Sequence, residues 1–448
     1  MSLAPHLRAT LATTGTLLGG LFSFVPFVPR LLRAIVCGRD DRERMLGLMR
    51  EGLATRPTDP PGVLQRGARV FLVAGEPSGD LHGADLAVAL RRLDPEVRLE
   101  GIGGPRMAAA GVDVSEDLVS DPVMGVIPVL KRLPYFFGLY RRLLIRLETD
   151  PPDVVVGIDY PGLNLRLAKA AHARGVPFVD YIAPQVWAWA PWRARAMAGS
   201  VSQIVSILPF EEPIFRAAGA AVAFVGHPLF EHLEQRGTDA DHRAALRAAV
   251  PAGGALVALM PGSRRAEVEA NLPMQLAAAQ LVLTHSPDTR FVIPLARERL
   301  RPLVEAAVSR GPGGIVIAPP EHSDDAMAEA DAAITVSGTA TLHLVAHDTP
   351  AVVMYRVSTF NRVLASMLLV SPYIALPNLL SGREILPEFL AADGDEQRIA
   401  NAALGIMPGG PTRAAALTAL ADIRDRLHEK GVPTHAAKWV LATAKNDA

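Results

Sequence analysis

Short apolar runs alternate along most of the chain with longer segments of helical period. The helical segments, such as residues 82–93 and 272–285, repeat apolar positions every three to four residues. The apolar runs predict buried strands at residues 69–74, 153–158, 177–182, 202–208, 255–260, 290–295, 314–318, 332–336 and 351–355. This alternation predicts parallel sheets with helices on both faces. Nine strands exceed one doubly wound sheet, so we expect an α/β protein with two Rossmann-like domains.

Composition breaks suggest where the domains begin and end. Residues 251–254 read PAGG just before a predicted strand, which favours a domain boundary there. We therefore predict an N-terminal extension over residues 1–65, a Rossmann-like domain over 66–250, and a second one with terminal helices over 251–448. In such a pair we expect ligands in the cleft between the domains, at the carboxyl ends of the strands.

The extension contains an apolar run over residues 17–36 that prolines and arginines interrupt. A spanning helix needs roughly 20 apolar residues with few charges, so the run favours a segment lying in a membrane interface. A helix packed on the protein's own core and a disordered extension remain alternatives.

Charge and cysteine content exclude several classes of function. The 45 Lys and Arg residues balance 46 Asp and Glu residues, and the net charge of −1 argues against a nucleic-acid partner. The single cysteine, Cys37, excludes an internal disulfide and a Cys-rich zinc site, and suits a reducing compartment. No metal-ligand motif or ATP-binding phosphate loop is visible, so we expect neither a metal nor a cofactor.

Polar loops follow several of the predicted strands. Asp159 ends the strand at 153–158, where a carboxylate can take a proton from a substrate hydroxyl, although Asp is also a common helix N-cap. The loop after residues 255–260 contains Ser263 and Arg264, which suit a phosphate. A third loop offers further donors for a diphosphate in Ser337, Gly338 and Thr339.

Two apolar segments combine with arginines. Trp187, Trp189 and Trp192 precede Arg193 and Arg195, a composition that suits sugar stacking, a lipid interface or ordinary core packing. Residues 123–147 also mix apolar and basic side chains, which favours a membrane-facing surface over ordinary core. The predicted membrane or acyl contacts there are Phe136, Phe137 and Leu139.

Taken together and in order, many segments over about residues 70–390 resemble the lipid A disaccharide synthases. They include AGEPSGDLHGA, GIGGPRMAAAGV, PDVVVGIDYPGLNLRLA, PQVWAW, PGSRRAEVE, SGTATL and YIALPNLLSGREILPEFL. The resemblance implies a GT-B fold and a metal-independent, inverting transfer of diacylglucosamine from its UDP derivative to diacylglucosamine 1-phosphate. The product is a β-1,6-linked disaccharide, with release of UDP. It also implies a peripheral enzyme on the cytoplasmic face of the bacterial inner membrane that contacts lipid, and it is compatible with an oligomer.

The resemblance also implies roles for individual residues. Asp159 matches the general base, and Glu76 and Asn378 match neighbouring catalytic positions. The positions that match substrate or UDP contacts are Ser78, Asp80, Ser263, Arg264, Ser337, Gly338, Thr339, Tyr355, Arg356 and Arg383. The chain departs from the family pattern at Gly162 and His343, which leaves open a related GT-B transferase or epimerase acting on another UDP-sugar or lipid-linked sugar. A non-catalytic membrane adaptor is disfavoured, because it would need neither a base nor a diphosphate-binding arginine.

Overall fold

The computed structural model describes residues 43–60, 64–120, 133–189, 192–356 and 371–445. The chain forms two compact units. The N-terminal unit consists of the chain up to Pro228 together with the segment from Glu429 onward. The C-terminal unit spans Leu229–His428. This division differs from the predicted one, because the boundary falls before residue 250 and the last helix joins the N-terminal unit.

The N-terminal unit contains seven strands within the described residues. Its first helix, α1, covers residues 43–52. The elements that follow are β1 (Arg69–Ala74), α2 (Pro77–Leu93), β2 (Arg98–Gly103), α3 (Pro105–Ala109), β3 (Asp113–Asp117), α4 (Leu133–Thr149), β4 (Val154–Ile158), α5 (Pro161–His172), β5 (Phe178–Tyr181), α6 (Val186–Trp189), α7 (Trp192–Ala198), β6 (Gln203–Ser206), α8 (Glu211–Ala217) and β7 (Val222–Phe224).

The strands of this unit form one parallel sheet in the order β3-β2-β1-β4-β5-β6-β7. Alternate residues of β1 face opposite sides, as the two-residue period of a strand requires. Phe71 and Val73 join a core with α4 and α5, whereas Val70 and Leu72 join a core with α2 and the last helix. Helices therefore cover both faces of the sheet, which explains why its central strands are apolar throughout.

The C-terminal unit contains a second parallel sheet of six strands, in the order β10-β9-β8-β11-β12-β13. Its elements begin with α9 (Pro228–Arg236), which starts at the unit boundary, and continue with α10 (Ala240–Ala248), β8 (Leu256–Met260), α11 (Arg265–His285), β9 (Arg290–Pro294), α12 (Arg301–Val308), β10 (Ile315–Ala318), α13 (Ser323–Glu329), β11 (Ala332–Thr335), α14 (Ala340–Ala346), β12 (Ala351–Arg356), α15 (Leu376–Ser381), β13 (Glu388–Ala391), α16 (Glu396–Ile406) and α17 (Arg413–Leu427). The main core lies between the sheet and α11, α12 and α16.

Ion pairs and packing explain the position of the unit boundary. Arg247 of α10 pairs with Glu329 and Asp331, which end α13 and precede β11, so α10 belongs with the second sheet. The last helix, α18 (Val432–Thr443), instead buries Val440 and other apolar side chains against the first sheet.

The predicted fold class is confirmed by the two parallel sheets with their flanking helices. All nine predicted strands are present, and the described part of the chain adds β2, β3, β7 and β13. Among the described residues, no helix has the length and apolar character needed to cross a membrane. The apolar run at 17–36 lies outside those residues.

Candidate functional site

The loops after β1 and β4 meet at the carboxyl edge of the N-terminal sheet, because these two strands are neighbours. A Cβ atom on Gly75 would lie 2.5 Å from the Tyr160 ring, so only glycine allows the two loops this close. The contact brings Ser78 beside Asp159, and the Ser78 hydroxyl donates to the Asp159 carboxylate at 2.8 Å. Two of the predicted site residues are thus in direct contact.

Asp159 combines a strained backbone with a perturbed carboxyl group. Its φ of 43° lies in the left-handed region, a conformation that costs a non-glycine residue about 1 to 3 kcal/mol and that clusters at functional sites. Burial and the nearby charge of Glu76 raise the pKa of Asp159 to about 6, against the opposing effect of the Ser78 hydrogen bond. A carboxylate with this pKa is a competent proton acceptor near neutral pH.

Asp80, in contrast, has a structural role in this unit. Its side chain is 2% exposed, and its carboxylate accepts backbone N–H groups of Gly104, Arg106 and Met107 at 3.0 to 3.1 Å. The first N–H groups of a helix have no partners within the helix, and Asp80 provides the acceptors for those at the start of α3. The prediction that Asp80 contacts substrate is corrected accordingly, since its oxygens are occupied in holding α3.

Two buried carboxyl groups lie in the same unit and were not singled out in the sequence. Asp180 is 3% exposed on β5, in register with Gly157 of β4. Burial raises the pKa of Asp180 well above its usual range, and the charges of Asp159 and Glu211 raise it further. An aspartate inside the apolar run PFVDYI was the available signal, because buried strands rarely carry a charged residue without a reason.

Glu211, the first residue of α8, is 1% exposed. Its Oε1 accepts a hydrogen bond from Trp187 Nε1 at 3.1 Å, and Oε2 is buried without a protein partner. Burial raises the pKa of Glu211 to about 8, although the hydrogen bond from Trp187 opposes the shift. Trp187 is 3% exposed and packs against Phe210, so core packing is the interpretation that the structure supports for this tryptophan.

In the C-terminal unit, the predicted phosphate loop follows β8. Glu267 Oε2 accepts the backbone N–H groups of Ser263 at 2.9 Å and Arg264 at 3.1 Å. The glutamate thereby occupies the anion position at the start of α11. The Arg264 side chain is 63% exposed and pairs with Glu267 Oε1 at 3.2 Å, an exposed pairing that is weak enough to exchange.

The loops after β11 and β12 supply the other predicted donor groups of this unit. Gly338 and Thr339 are exposed, and the Ser337 hydroxyl donates to the Ile374 carbonyl. Arg356 ends β12, and its guanidinium pairs with exposed Asp393. Tyr355, the preceding residue of β12, is half-buried.

Asn271 connects two of these loops and was missed in the sequence. This residue of α11 is fully buried, and its side-chain oxygen accepts the Arg356 N–H at 2.8 Å. Its amide nitrogen donates to the Glu267 carbonyl at 2.8 Å and to the Pro261 carbonyl at 3.3 Å. Asn271 therefore fixes the end of β12 against the loop after β8.

Asn378 is also structural. Its side chain is fully buried, accepts the N–H groups of Ile385 and Leu386 at 2.9 Å, and donates to the Leu386 carbonyl and to Glu388. All of its strong hydrogen-bonding positions are used to shape the loop that carries exposed Arg383. The predicted catalytic role of Asn378 is corrected to one of holding this loop.

His343, where the chain departs from the family pattern, has a carboxylate partner. Its Nδ1 lies 2.9 Å from Asp324 Oδ1, and Arg236 pairs with the other oxygen at 3.0 Å. Burial acts to raise the pKa of Asp324, but the hydrogen bonds from His343 and His347 outweigh it and lower that pKa below its usual range. The other departure, Gly162, lies exposed on α5, with open space where a Cβ atom would be.

The predicted membrane surface is described only from residue 133 onward. Leu139 is 1% exposed within the core, so it offers no surface to lipid, and this part of the prediction is corrected. Phe136 and Phe137 are half-buried on α4. Tyr135 is 38% exposed and meets the Phe136 ring edge-on at 5.5 Å.

Comparison with known proteins links these loops to one family. Residues 70–433 match the family model described as lipid-A-disaccharide synthetase. The lipid-A-disaccharide synthase of Syntrophus aciditrophicus is 37% identical over 378 residues, which is 84% of this chain and 98% of that protein. The lipid-A-disaccharide synthase of Alkalilimnicola ehrlichii is 38% identical over 377 residues, with the same coverage of both chains.

A solved structure shares the architecture without close sequence similarity. The putative UDP-N-acetylglucosamine 2-epimerase of Listeria monocytogenes aligns with a TM-score of 0.52 at 14% identity. The alignment covers 84% of this chain and 95% of that one. At this identity the likeness concerns the fold alone.

Proposed function

The chain belongs to the lipid-A-disaccharide synthetase family, and from this premise we propose that Asp159 is the general base of the transfer that forms the disaccharide. The protein is a glycosyltransferase, and the synthase interpretation of the sequence is confirmed over the related transferase or epimerase. The substrates that we propose are UDP-2,3-diacylglucosamine as donor and 2,3-diacylglucosamine 1-phosphate as acceptor.

The contact between Ser78 and Asp159 is the observation that supports this role most directly. In the proposed step, the acceptor hydroxyl loses its proton to Asp159 while its oxygen attacks the anomeric carbon of the donor. The bond from that carbon to the diphosphate breaks, and its electron pair leaves with UDP. Asp159 suits this step because its pKa of about 6 leaves it ionised, yet basic enough to take a proton, at neutral pH.

The leaving diphosphate needs positive charge and N–H donors as it departs. We assign this task to the C-terminal unit. Its exposed Arg264 and half-exposed Arg356 each have a carboxylate partner near the surface that a phosphate can replace. Gly338 and Thr339 add an exposed backbone at the start of α14.

The acyl chains of these substrates reside in a lipid bilayer, so the enzyme must reach a membrane surface. We propose that it acts peripherally at the cytoplasmic face of the bacterial inner membrane, through the start of α4. Tyr135 and Phe137 offer the aromatic surface, and exposed Arg141 lies one turn further along the helix. Arg142 is also exposed but pairs with Glu116.

Mass spectrometry of the product formed from the two proposed substrates tests the activity. Asp159→Asn keeps the shape of the side chain but removes the base, so turnover should fall by about 10² to 10⁴. UDP binding measured by calorimetry should change little. Turnover within a few-fold of the unmodified protein would contradict the assignment of Asp159 as the base.

Two neighbouring substitutions provide matched tests of the same group. Ser78→Ala removes a hydrogen bond that stabilises the Asp159 carboxylate, so the acid limb of kcat/KM should move to higher pH. Glu76→Gln removes a like charge and should move that limb to lower pH. If both variants shift the limb in the same direction, Asp159 is not the group that the limb reports.

A further inference from the structure

Helix α1 lies outside the family match, which begins at residue 70, yet it packs on the N-terminal unit. Met45 is 6% exposed and Met49 is 1% exposed, so one side of the helix is core. Its charged residues, Glu43, Arg44, Arg50 and Glu51, are all exposed. This distribution is that of an amphipathic helix docked on its own protein.

The end of α1 touches the backbone of the turn that follows β6. A Cβ atom on Gly52 would lie 2.4 Å from the Cα atom of Phe210 and 2.8 Å from the Pro209 carbonyl oxygen. Neither atom belongs to a flexible side chain, so any larger residue at position 52 must push the turn and the helix apart. The glycine therefore sets how closely α1 presses on the turn.

The chain beyond α1 is attached on a second side. The Thr58 N–H donates to the Phe224 carbonyl at the end of β7, and Trp439 Nε1 donates to the Thr58 carbonyl at 2.8 Å. Asp59 pairs with Lys438 at 2.6 Å and with His435 at 2.8 Å. These contacts tie the extension to α18, so α1 is held against the turn from its C-terminal end.

The turn carries the side chains that surround Glu211. Phe210 is fully buried, and its ring meets Trp187 edge-on with centroids 5.1 Å apart. Trp187 in turn donates to Glu211. Trp187 is the hydrogen-bond donor to the Glu211 carboxyl, Leu208 and Ser206 lie close enough to lower its pKa, and its charge acts on Asp180. The neighbouring Glu212 points its carboxylate to Arg216 and to the Phe224 N–H.

Charge connects this cluster to the proposed base. Glu211 and Asp159 both act electrostatically on the buried Asp180, which is in register with Gly157, two residues before Asp159. The groups acting on Asp159 itself are Ser78 and Glu76. Asn164 adds a second buried polar group on this side of the sheet, because both its amide atoms lack protein partners and it lies where a Gly157 Cβ would be. Uncompensated buried polar groups make the surroundings of Asp159 sensitive to small displacements.

We propose that α1 is a positioning element for the reaction, which keeps Glu211 buried through Phe210 and Trp187 and thereby sets the electrostatic environment of Asp159. The proposal rests on the proposed role of Asp159 as base. Displacement of the turn would admit water to Glu211 and let it ionise. The added negative charge would then repel the ionised form of Asp159 and hold its proton to higher pH.

The experiment compares two glycines of α1 in the full-length protein. Gly52→Ala introduces the collision with Phe210, whereas Gly47→Ala is a control because no atom lies within 4 Å of its Cβ position. For Gly52→Ala we expect the acid limb of kcat/KM to move to higher pH by roughly half a unit or more, because a new like charge nearby raises the pKa of a carboxyl group. Gly47→Ala should leave the limb in place. Met49→Ala, which loosens the buried side of α1 without a collision, should shift it in the same direction by less.

A double-mutant cycle separates positioning from a loss of stability. Glu211→Gln still accepts from Trp187 but cannot ionise, so in this background Gly52→Ala should no longer move the limb. An infrared band of protonated carboxyl at neutral pH should weaken in Gly52→Ala alone, which gives a readout independent of turnover.

The outcomes distinguish this proposal from the one on which it rests. If Gly52→Ala lowers the melting temperature and activity equally at every pH, or shifts the limb as much in the Glu211→Gln background, α1 is only structural. A shift of the same size in Gly47→Ala also overturns the proposal. If the pH profile of the unmodified protein has no acid limb, or if the limb persists in Asp159→Asn, the role of Asp159 as base fails as well.

Discussion

Glu211→Gln should change how the stability of the N-terminal unit depends on pH. The side chain is 1% exposed, and burial raises its pKa from 4.5 to about 8. In the folded protein Glu211 therefore keeps its proton between these values, whereas the unfolded chain releases it. The folded state binds more protons than the unfolded state in this window, so stability falls as pH rises from about 4.5 to about 8.

The size of the effect follows from the shift. One pKa unit corresponds to about 1.4 kcal/mol, so between pH 5 and pH 7.5 this group should remove about 3 kcal/mol from the free energy of unfolding. Gln has a similar shape, can accept the Trp187 hydrogen bond and does not titrate. The variant should therefore gain about 3 kcal/mol relative to the unmodified protein over that range.

Urea unfolding monitored by tryptophan fluorescence suits this measurement, because all four tryptophans lie in the N-terminal unit. Glu96→Gln is a matched control, since Glu96 is exposed in the same unit. If the stabilities of Glu211→Gln and the unmodified protein run parallel from pH 5 to pH 7.5, Glu211 is not buried as a neutral acid. The positioning role of α1 would then lose its physical basis.

Three further outcomes can be measured. Arg264→Lys should weaken UDP binding and slow turnover although the charge is kept, because lysine lacks the planar fork that matches a phosphate; unchanged affinity by calorimetry would place the diphosphate elsewhere. Asn378→Ala leaves several buried groups of one loop without partners and should lower the local stability of that loop by about 3 kcal/mol. Hydrogen exchange over residues 376–391 should therefore accelerate by roughly 10², and unchanged exchange would refute the structural role. Replacement of Tyr135 and Phe137 by Ser should reduce sedimentation with anionic vesicles while the fold persists; binding equal to that of the unmodified protein would exclude this surface as the membrane contact.

Three of the four strands that the sequence missed, β3, β7 and β13, lie at the edges of their sheets. β3 is an edge strand that reads DVSED and has a single apolar residue, Val114, and β2 ends in the glycines of GIG, which resemble a loop. β7 has only three residues, and β13 lies at the other sheet's edge. Central strands are recognisable because both of their faces are buried, whereas edge strands carry a weaker apolar signal.

The role of each polar residue was harder to predict than its position. Asp80, Asp159 and Asn378 all stand in polar motifs of the sequence, and the sequence assigned all three to the site. Only Asp159 keeps an accessible side-chain oxygen. The side-chain oxygens of Asp80 and Asn378 instead accept backbone N–H groups of residues seven to 27 positions away in the chain. Which partner a side chain finds depends on the packing of distant segments, which local sequence does not specify.

The sequence by itself determined the α/β class, the two parallel sheets, the family and the position of Asp159 at a strand end, because periodicity and ordered motifs are local properties. Only the tertiary structure decided that Asp180 and Glu211 are buried together, that α18 returns to the first sheet, and that α1 presses on the turn at Phe210. Burial and electrostatic coupling are sums over neighbours far apart in the chain. They become defined only when those neighbours are brought together by folding.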